Sequence, residues 1–134
     1  MKFVIDETPI PKRRHRMRDG KAYDPQSEKR KAVSNKFFNQ MLKNNYIMLE
    51  NVPIAISMIA YMPIPKSIPK SKISDIDKTY HHKKPDIDNI AKFYLDAMNT
   101  IVFADDNAVS KLAIEKRYTK DLPKIEISVE TLID

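Results

Sequence analysis

Hydrophobic positions along the chain change period from segment to segment, and those changes mark its elements. "MKFVID" alternates apolar and polar residues and predicts a first strand. Val33, Phe37 and Met41 recur every four residues, with Phe38 and Leu42 beside them, which predicts an amphipathic helix entered at Asp24-Pro25 and left near Asn44-Asn45. "VPIAISMIAYM", 52–62, is apolar at both parities and rich in β-branched residues, the pattern of a central strand. Ile90, Tyr94, Ala97, Met98 and Ile101 return to helical spacing over roughly 88–101. Ser110, Leu112 and Ile114 then alternate with Lys111, Glu115 and Arg117 over 108–118. Ile125, Ile127 and Val129 alternate with Lys124, Glu126 and Ser128 over 124–132. These read as two strands joined by a turn at "TKDLP". The order is β-α-β-α-β-β, a single small α/β (α+β) domain across 1–134 with a mixed sheet of about four strands and two helices.

Two stretches carry no apolar period. Residues 7–24 read as a loop or arm punctuated by Pro9, Pro11 and Gly20, the only glycine. Between Lys12 and Lys21 it holds six Lys/Arg against one acid. Residues 63–84, rich in Pro, Ser and Lys, read as a long mobile loop in which six lysines outnumber two acids. The formal net charge is +6, and its concentration in these two segments points to a polyanion, nucleic acid first. The 42% hydrophobic content supports a folded core. With no apolar run of 18 residues, no membrane partner is expected. The N-terminus lacks the apolar core of a signal peptide, so a cytoplasmic location is the expectation. The chain has no cysteine, which removes disulfides and thiolate metal sites.

Against this basic background, "KKPDIDNIAK" gathers carboxylates. Asp86 and Asp88 project to one side if the segment is extended, and Pro85 biases its approach that way. Asp88 suits a helix N-cap, and Lys92 then lies one turn on, over the same face. A second acidic pair, Asp105-Asp106, follows the helix. If the next strand returns beside the one feeding the helix, Asp106 comes near Asp86 and Asp88. Three or four carboxylates without sulfur suit Mg²⁺ or Mn²⁺. Such an ion activates water and neutralises charge on a phosphodiester, with Lys92 beside the scissile phosphate. The plainer roles are a cap for Asp88, a surface pair for Lys92 and Asp96, and turn residues for Asp105-Asp106. An EF-hand is excluded, because Ala91 and Ala97 stand where that loop needs glycine and glutamate. His81-His82 reads as exposed loop, not as a ligand pair.

The segments "DIDNIAK", "LDAMN" and "ADDNAV", in that order, resemble the RusA family of Holliday-junction resolvases, often phage- or prophage-encoded. The resemblance is densest over 83–118, and "PIPKRRHR" with "YDP" is similar to the family's proline-basic opening. It implies a Mg²⁺-dependent endonuclease that acts as a homodimer on branched DNA, in recombination or repair, without a small-molecule cofactor. Carried over by motif, Asp86, Asp88 and Asp106 match the metal-binding aspartates, with Asp105 ranked below Asp106, and Lys92 matches the active-site lysine. Asn89 matches the asparagine after the second acid, and Lys116 a lysine in the following strand. Lys12, Arg13, Arg14, Arg16, Lys83, Lys84, Asn89 and Lys116 are the candidates for contacting DNA. Thr100 stands where many members have glycine, and Ala108 where many have glutamine. Val33, Phe37, Met41 or the last strand are candidate dimer faces, ordinary core being the simpler role for most of them. The competing readings are a non-catalytic basic nucleic-acid-binding module and a small-molecule phosphohydrolase, for which no glycine-rich phosphate loop is present.

Overall fold

The computed structural model describes residues 1–133. Its main sheet has four strands: β1 (Lys2–Ile5), β4 (Ile54–Pro63), β5 (Val109–Thr119) and β6 (Lys124–Thr131), in spatial order β1-β6-β4-β5. A separate two-stranded ribbon is formed by β2 (Arg16–Arg18) and β3 (Lys21–Tyr23). Helices α1 (Ser27–Lys43) and α3 (Ile87–Met98) pack on one face of the sheet, and α2 (Ile73–Ile76) is a single turn in the 63–84 segment. The expected mixed α/β domain is therefore present.

The core follows from strand alternation. Ile54, Ile56, Met58, Ala60 and Met62 point from β4 to the helices, as do Phe3 and Ile5 from β1 and Ile125, Ile127 and Val129 from β6. They meet Val33, Phe37 and Met41 of α1 and Ile90, Phe93, Tyr94, Ala97 and Met98 of α3. The candidate dimer faces Val33, Phe37 and Met41 are thus core, and β6 lies inside the sheet between β1 and β4. Phe38 and Leu42, which the periodicity groups with the buried stripe, are 50% and 62% exposed on the outer side of α1.

β5 and β6 follow one another but do not pair. β4 lies between them, parallel to β5 and antiparallel to β6, so their connection crosses the end of β4. β4 is central, as its composition predicts. Its second face carries no helix layer, and Ala55, Ser57, Ile59 and Tyr61 are only partly covered there.

The two unperiodic segments are structured. The arm contains a hairpin whose turn, Asp19-Gly20, has positive φ at both residues, 51° and 76°, the geometry of a type I′ connection. The 63–84 segment, expected as a mobile loop, holds a 3₁₀ turn at Lys70–Lys72 and then α2, and docks along the outer edge of β5. There the Lys78 N–H donates to the Tyr118 carbonyl, the Tyr118 N–H to that of Thr79, and the His81 N–H to that of Lys116, at 2.9, 2.9 and 3.0 Å.

Helix α3 ends at Asn99, and Thr100 adopts φ 66°. That left-handed conformation suits glycine and strains a β-branched residue. It is held by the Thr100 N–H donating to the Phe103 carbonyl at 2.8 Å. Thr100→Gly is expected to stabilise the chain by about 1 kcal/mol, read as a raised midpoint in urea unfolding.

Candidate active site and nucleic-acid surface

The crossover β4–α3–β5 positions the acids. α3 is capped two residues earlier than expected: Asp86, extended at φ −66° and ψ 140°, is the N-cap, and Asp88 lies in the first turn. Neither the Asp86 side chain nor any other caps the helix by a hydrogen bond. Both carboxylates are exposed and available to another partner. The approach to Asp86 is fixed from below. The Lys116 ammonium donates to the carbonyls of Lys83 and Pro85 at 2.6 and 2.7 Å. Lys116, expected to contact DNA, is turned inward as a brace for the segment that delivers Asp86.

Lys92 Nζ is 3.9 Å from the Asp88 carboxylate, with the two side chains 61% and 66% exposed. Such a pair is weak and leaves the ammonium free to turn elsewhere. The predicted i,i+4 pairing of Lys92 with Asp96 is not formed. Asp96 instead accepts from the Lys12 ammonium at 2.8 Å.

Asp88 lies on a crest between two basic clefts. One is lined by Lys12, Arg13, Arg14, His15, Asn89 and Lys92. The other, shared with Asp86, is lined by His81, His82, Lys83, Lys84 and Lys116. The first exists because the arm is pinned across α3. The Lys12 N–H donates to the Asn89 carbonyl at 2.8 Å, and the Ile10 N–H to the Tyr94 hydroxyl at 3.1 Å. Asn89 therefore contributes its backbone to holding the arm. Buried Gln26 accepts from the Arg13 N–H and donates to the Pro11 carbonyl, both at 2.8 Å. These anchors use backbone groups, so the Arg13, Arg14 and Arg16 side chains stay exposed. Arg16 stands on the hairpin, outside both clefts.

Gln26 was not anticipated from sequence, since a glutamine at a helix start carries no distinguishing pattern. Asp24 is its partner in the turn. The Gln26 N–H, against burial and with the help of Arg30, holds the Asp24 carboxyl below its ordinary value. In the second cleft, burial, with the charges of Lys116 and His82, holds the His81 imidazole below its ordinary value. Its ring packs on Tyr118 with centroids 4.7 Å apart.

Asp105 and Asp106 are elsewhere. They lie in the 3₁₀ turn before β5, at the opposite end of α3, where the Asp106 N–H donates to Asn99 Oδ1 at 3.1 Å. The 12 residues of α3 span about 17 Å at a rise of about 1.5 Å each, so Asp106 does not join Asp86 and Asp88 within one chain. No cluster of three or more acidic or His residues able to hold a metal forms among the described residues. The returning strand does lie beside β4, but the expected convergence does not follow from it. Asp106 has its own acidic company. Burial, then a hydrogen bond and charge from Asp105, then the charge of Asp96, raise its carboxyl above the ordinary value.

Residues 6–130 match the family described as Endodeoxyribonuclease RusA, and the chain belongs to that family of DNA-cutting enzymes. It is also similar to the uncharacterized protein YqaN of Bacillus subtilis (strain 168), 26% identical over an alignment that covers 96% of this chain and 94% of that protein. No helix is long and apolar enough to cross a membrane among the described residues.

A group whose folded-state carboxyl is raised contributes stability at low pH, and loses it as pH rises through its folded value. Asp106 therefore weighs against the metal-free fold at neutral pH. Asp106→Asn should raise the thermal midpoint at pH 7 in EDTA by a degree or two, about 0.5 kcal/mol, with the gain fading as the scans move to acid.

Proposed function

We propose that this chain is a Mg²⁺-dependent endonuclease, with Mn²⁺ able to substitute, that resolves four-way DNA junctions by paired symmetric nicks and acts as a homodimer. The observation that carries the reading is the carboxylate crest set between two basic clefts. Acids inside a basic surface suit an enzyme that must hold a cation and a polyanion together. The donor set fits the ion, because Asp86, Asp88, Asp105 and Asp106 offer hard oxygens alone. When bound there, the ion supplies Lewis-acid activation of water and charge neutralisation at the phosphate.

The chain's own residues do the rest. Lys116 braces residues 83–85 so that Asp86 enters the site extended. Lys92, loosely paired, is free to turn toward the scissile phosphate. Arg13 and Arg14 on one side, and Lys83 and Lys84 on the other, lie where flanking phosphates run. Because Asp106 stands a helix length from Asp86 and Asp88, the full set requires two chains. In a two-fold dimer with antiparallel α3 helices, the N-terminal acids of one copy meet Asp105-Asp106 of the other, giving two matched sites for a substrate that is itself nearly two-fold.

The separation of the acids within one chain also favours a second reading, a non-catalytic module that binds branched DNA through its basic clefts. Cleavage of a labelled four-way junction, with Mg²⁺ and with EDTA beside a linear duplex, decides between them. Symmetric nicks that need the metal support the nuclease. Binding without cutting in either metal supports the module. Asp88→Asn should abolish cutting and leave junction affinity equal or tighter, by removing a charge that repels phosphate; loss of binding in the folded variant would count against the metal role. Arg13→Ala/Arg14→Ala should weaken binding and flatten the dependence of log K on log salt by about 1–2, which titrations at several salt concentrations would measure.

A further inference from the structure

We propose that the β2–β3 hairpin distinguishes branched from linear DNA: Met17 stacks on a base pair laid open at the branch point, while the opposite face of the ribbon holds the phosphates that converge there. The choice of branched DNA rests on the nuclease reading; the contact itself does not require cutting.

The hairpin lines neither basic cleft. Its six strand residues are all exposed, so core packing does not account for it. Its base is nevertheless fixed. On the entry side the Arg13 N–H donates to Gln26, and on the exit side the Asp24 carboxylate accepts from the Gln26 N–H and pairs with Arg30. His15, just before β2, lines the cleft that holds Asp88 and Lys92. Three strand residues at about 3.3 Å each carry the tip about 10 Å from that base.

The register gives the ribbon two unlike faces. Arg16 pairs with Tyr23, Met17 with Ala22 and Arg18 with Lys21. Directly opposed side chains share a face, and neighbours along a strand alternate. Met17 and Ala22 therefore form one face, and Arg16, Arg18, Lys21 and Tyr23 the other. Arg18 and Lys21 are like charges set directly across from one another, which weakens an already marginal two-stranded ribbon. Arg16, Arg18 and Lys21 have no acidic partner among the described residues. A polyanion supplies one. The other face is apolar, with Met17 68% exposed. A lone exposed methionine is ordinary on a protein surface. Here it is backed by a free cationic face, so the fitting partner offers apolar area beside negative charge.

Linear duplex offers phosphates and polar base edges, with its flat base faces stacked away, and entering between them means breaking a stack. At a branch point the strands exchange between stacks, so a base-pair face opens at lower cost beside the phosphates of several strands. The unbranched, polarizable side chain of Met17 fits such an uneven surface. Met17 thus adds to junction binding alone, whereas Arg16, Arg18 and Lys21 add to junction and duplex alike.

Met17→Thr keeps strand propensity and removes the apolar reach. Titrations in EDTA should show its Kd for a labelled four-way junction raised about tenfold and its Kd for a linear duplex changed by less than about twofold, with Met17→Leu close to the parent chain. Arg18→Gln/Lys21→Gln should weaken both substrates to the same degree. The chain has no cysteine, so a photoactivatable label on Met17→Cys reports one position. It should crosslink to the nucleotides at the branch point, and the same label on Leu42→Cys, on the exposed outer side of α1, should not. Equal losses on junction and duplex for Met17→Thr, or crosslinks spread along the arms, would overturn the stacking role. So would a parent chain with no preference for the junction. A Met17→Thr chain that keeps its junction preference and cuts sinks the hairpin and spares the nuclease. A chain that crosslinks at the branch point and cuts nothing in Mg²⁺ or Mn²⁺ sinks the nuclease and spares the hairpin.

Discussion

A helix that joins two parallel strands must run back along them, and the geometry of this chain follows from that constraint. β4 leaves the sheet at one end, α3 returns across the buried residues of β4, and β5 begins beside the start of β4. Whatever precedes α3 is therefore carried to one end of the sheet and whatever follows it to the other. Asp86 caps its start and Asp88 stands in its first turn, and Asp105 and Asp106 follow it. The apolar face of α3, with Ile90, Tyr94, Ala97 and Met98 fully buried, fixes the helix so firmly that its length becomes a fixed spacing between two acidic groups.

The two ends are electrostatically unlike. At the N-terminal end the carboxylates stand among Lys83, Lys84, Lys92 and the arm, and they are exposed. At the C-terminal end Asp106 is partly buried beside Asp105 and Asp96, and its carboxyl is raised first by that burial and then by its acidic neighbours. Lys12 relieves part of that crowding by pairing with Asp96, and in doing so ties the arm to both ends of α3. The arm is thus held by its backbone and by one lysine, while its arginines remain free. Burying Gln26 carries no unsatisfied penalty, because its amide bonds to Arg13 and Pro11 on the arm.

Much of this architecture was legible in the sequence, because strand and helix periods are local. The four sheet strands and two long helices fall where apolar spacing puts them. What failed was non-local or a matter of one turn. Nothing in "TKDLP" tells that β4 intervenes between β5 and β6. Asp88 looked like the cap because it precedes the apolar run, yet Ile87 already belongs to the helix and Asp86 takes the cap position. The Asp19-Gly20 pair was a readable hairpin signal that the surrounding charge obscured. Lys116 was carried over by motif as a DNA contact; the fold shows its ammonium donating to two carbonyls. Asn99 and Thr100 were read as a motif, and the positive φ at Thr100 gives the physical reason why a glycine suits that place.

The separation of the acids has a consequence for control on the reading proposed above. A site assembled from two chains cannot hold its ion until they meet, so a lone protomer would bind DNA through its basic clefts without cutting it. The Asp105-Asp106 end, repelling itself in isolation, gains most from a cation. The Asp86-Asp88 end, among lysines, gains least and contributes the phosphate-holding surface. Joining unlike halves places the strongest demand for the metal next to the strongest hold on the substrate. It does so twice, at positions fixed by one rigid helix per chain. Paired nicks at a set spacing would then follow from the length of α3 and the dimer axis, with no further device needed to keep the two cuts in step.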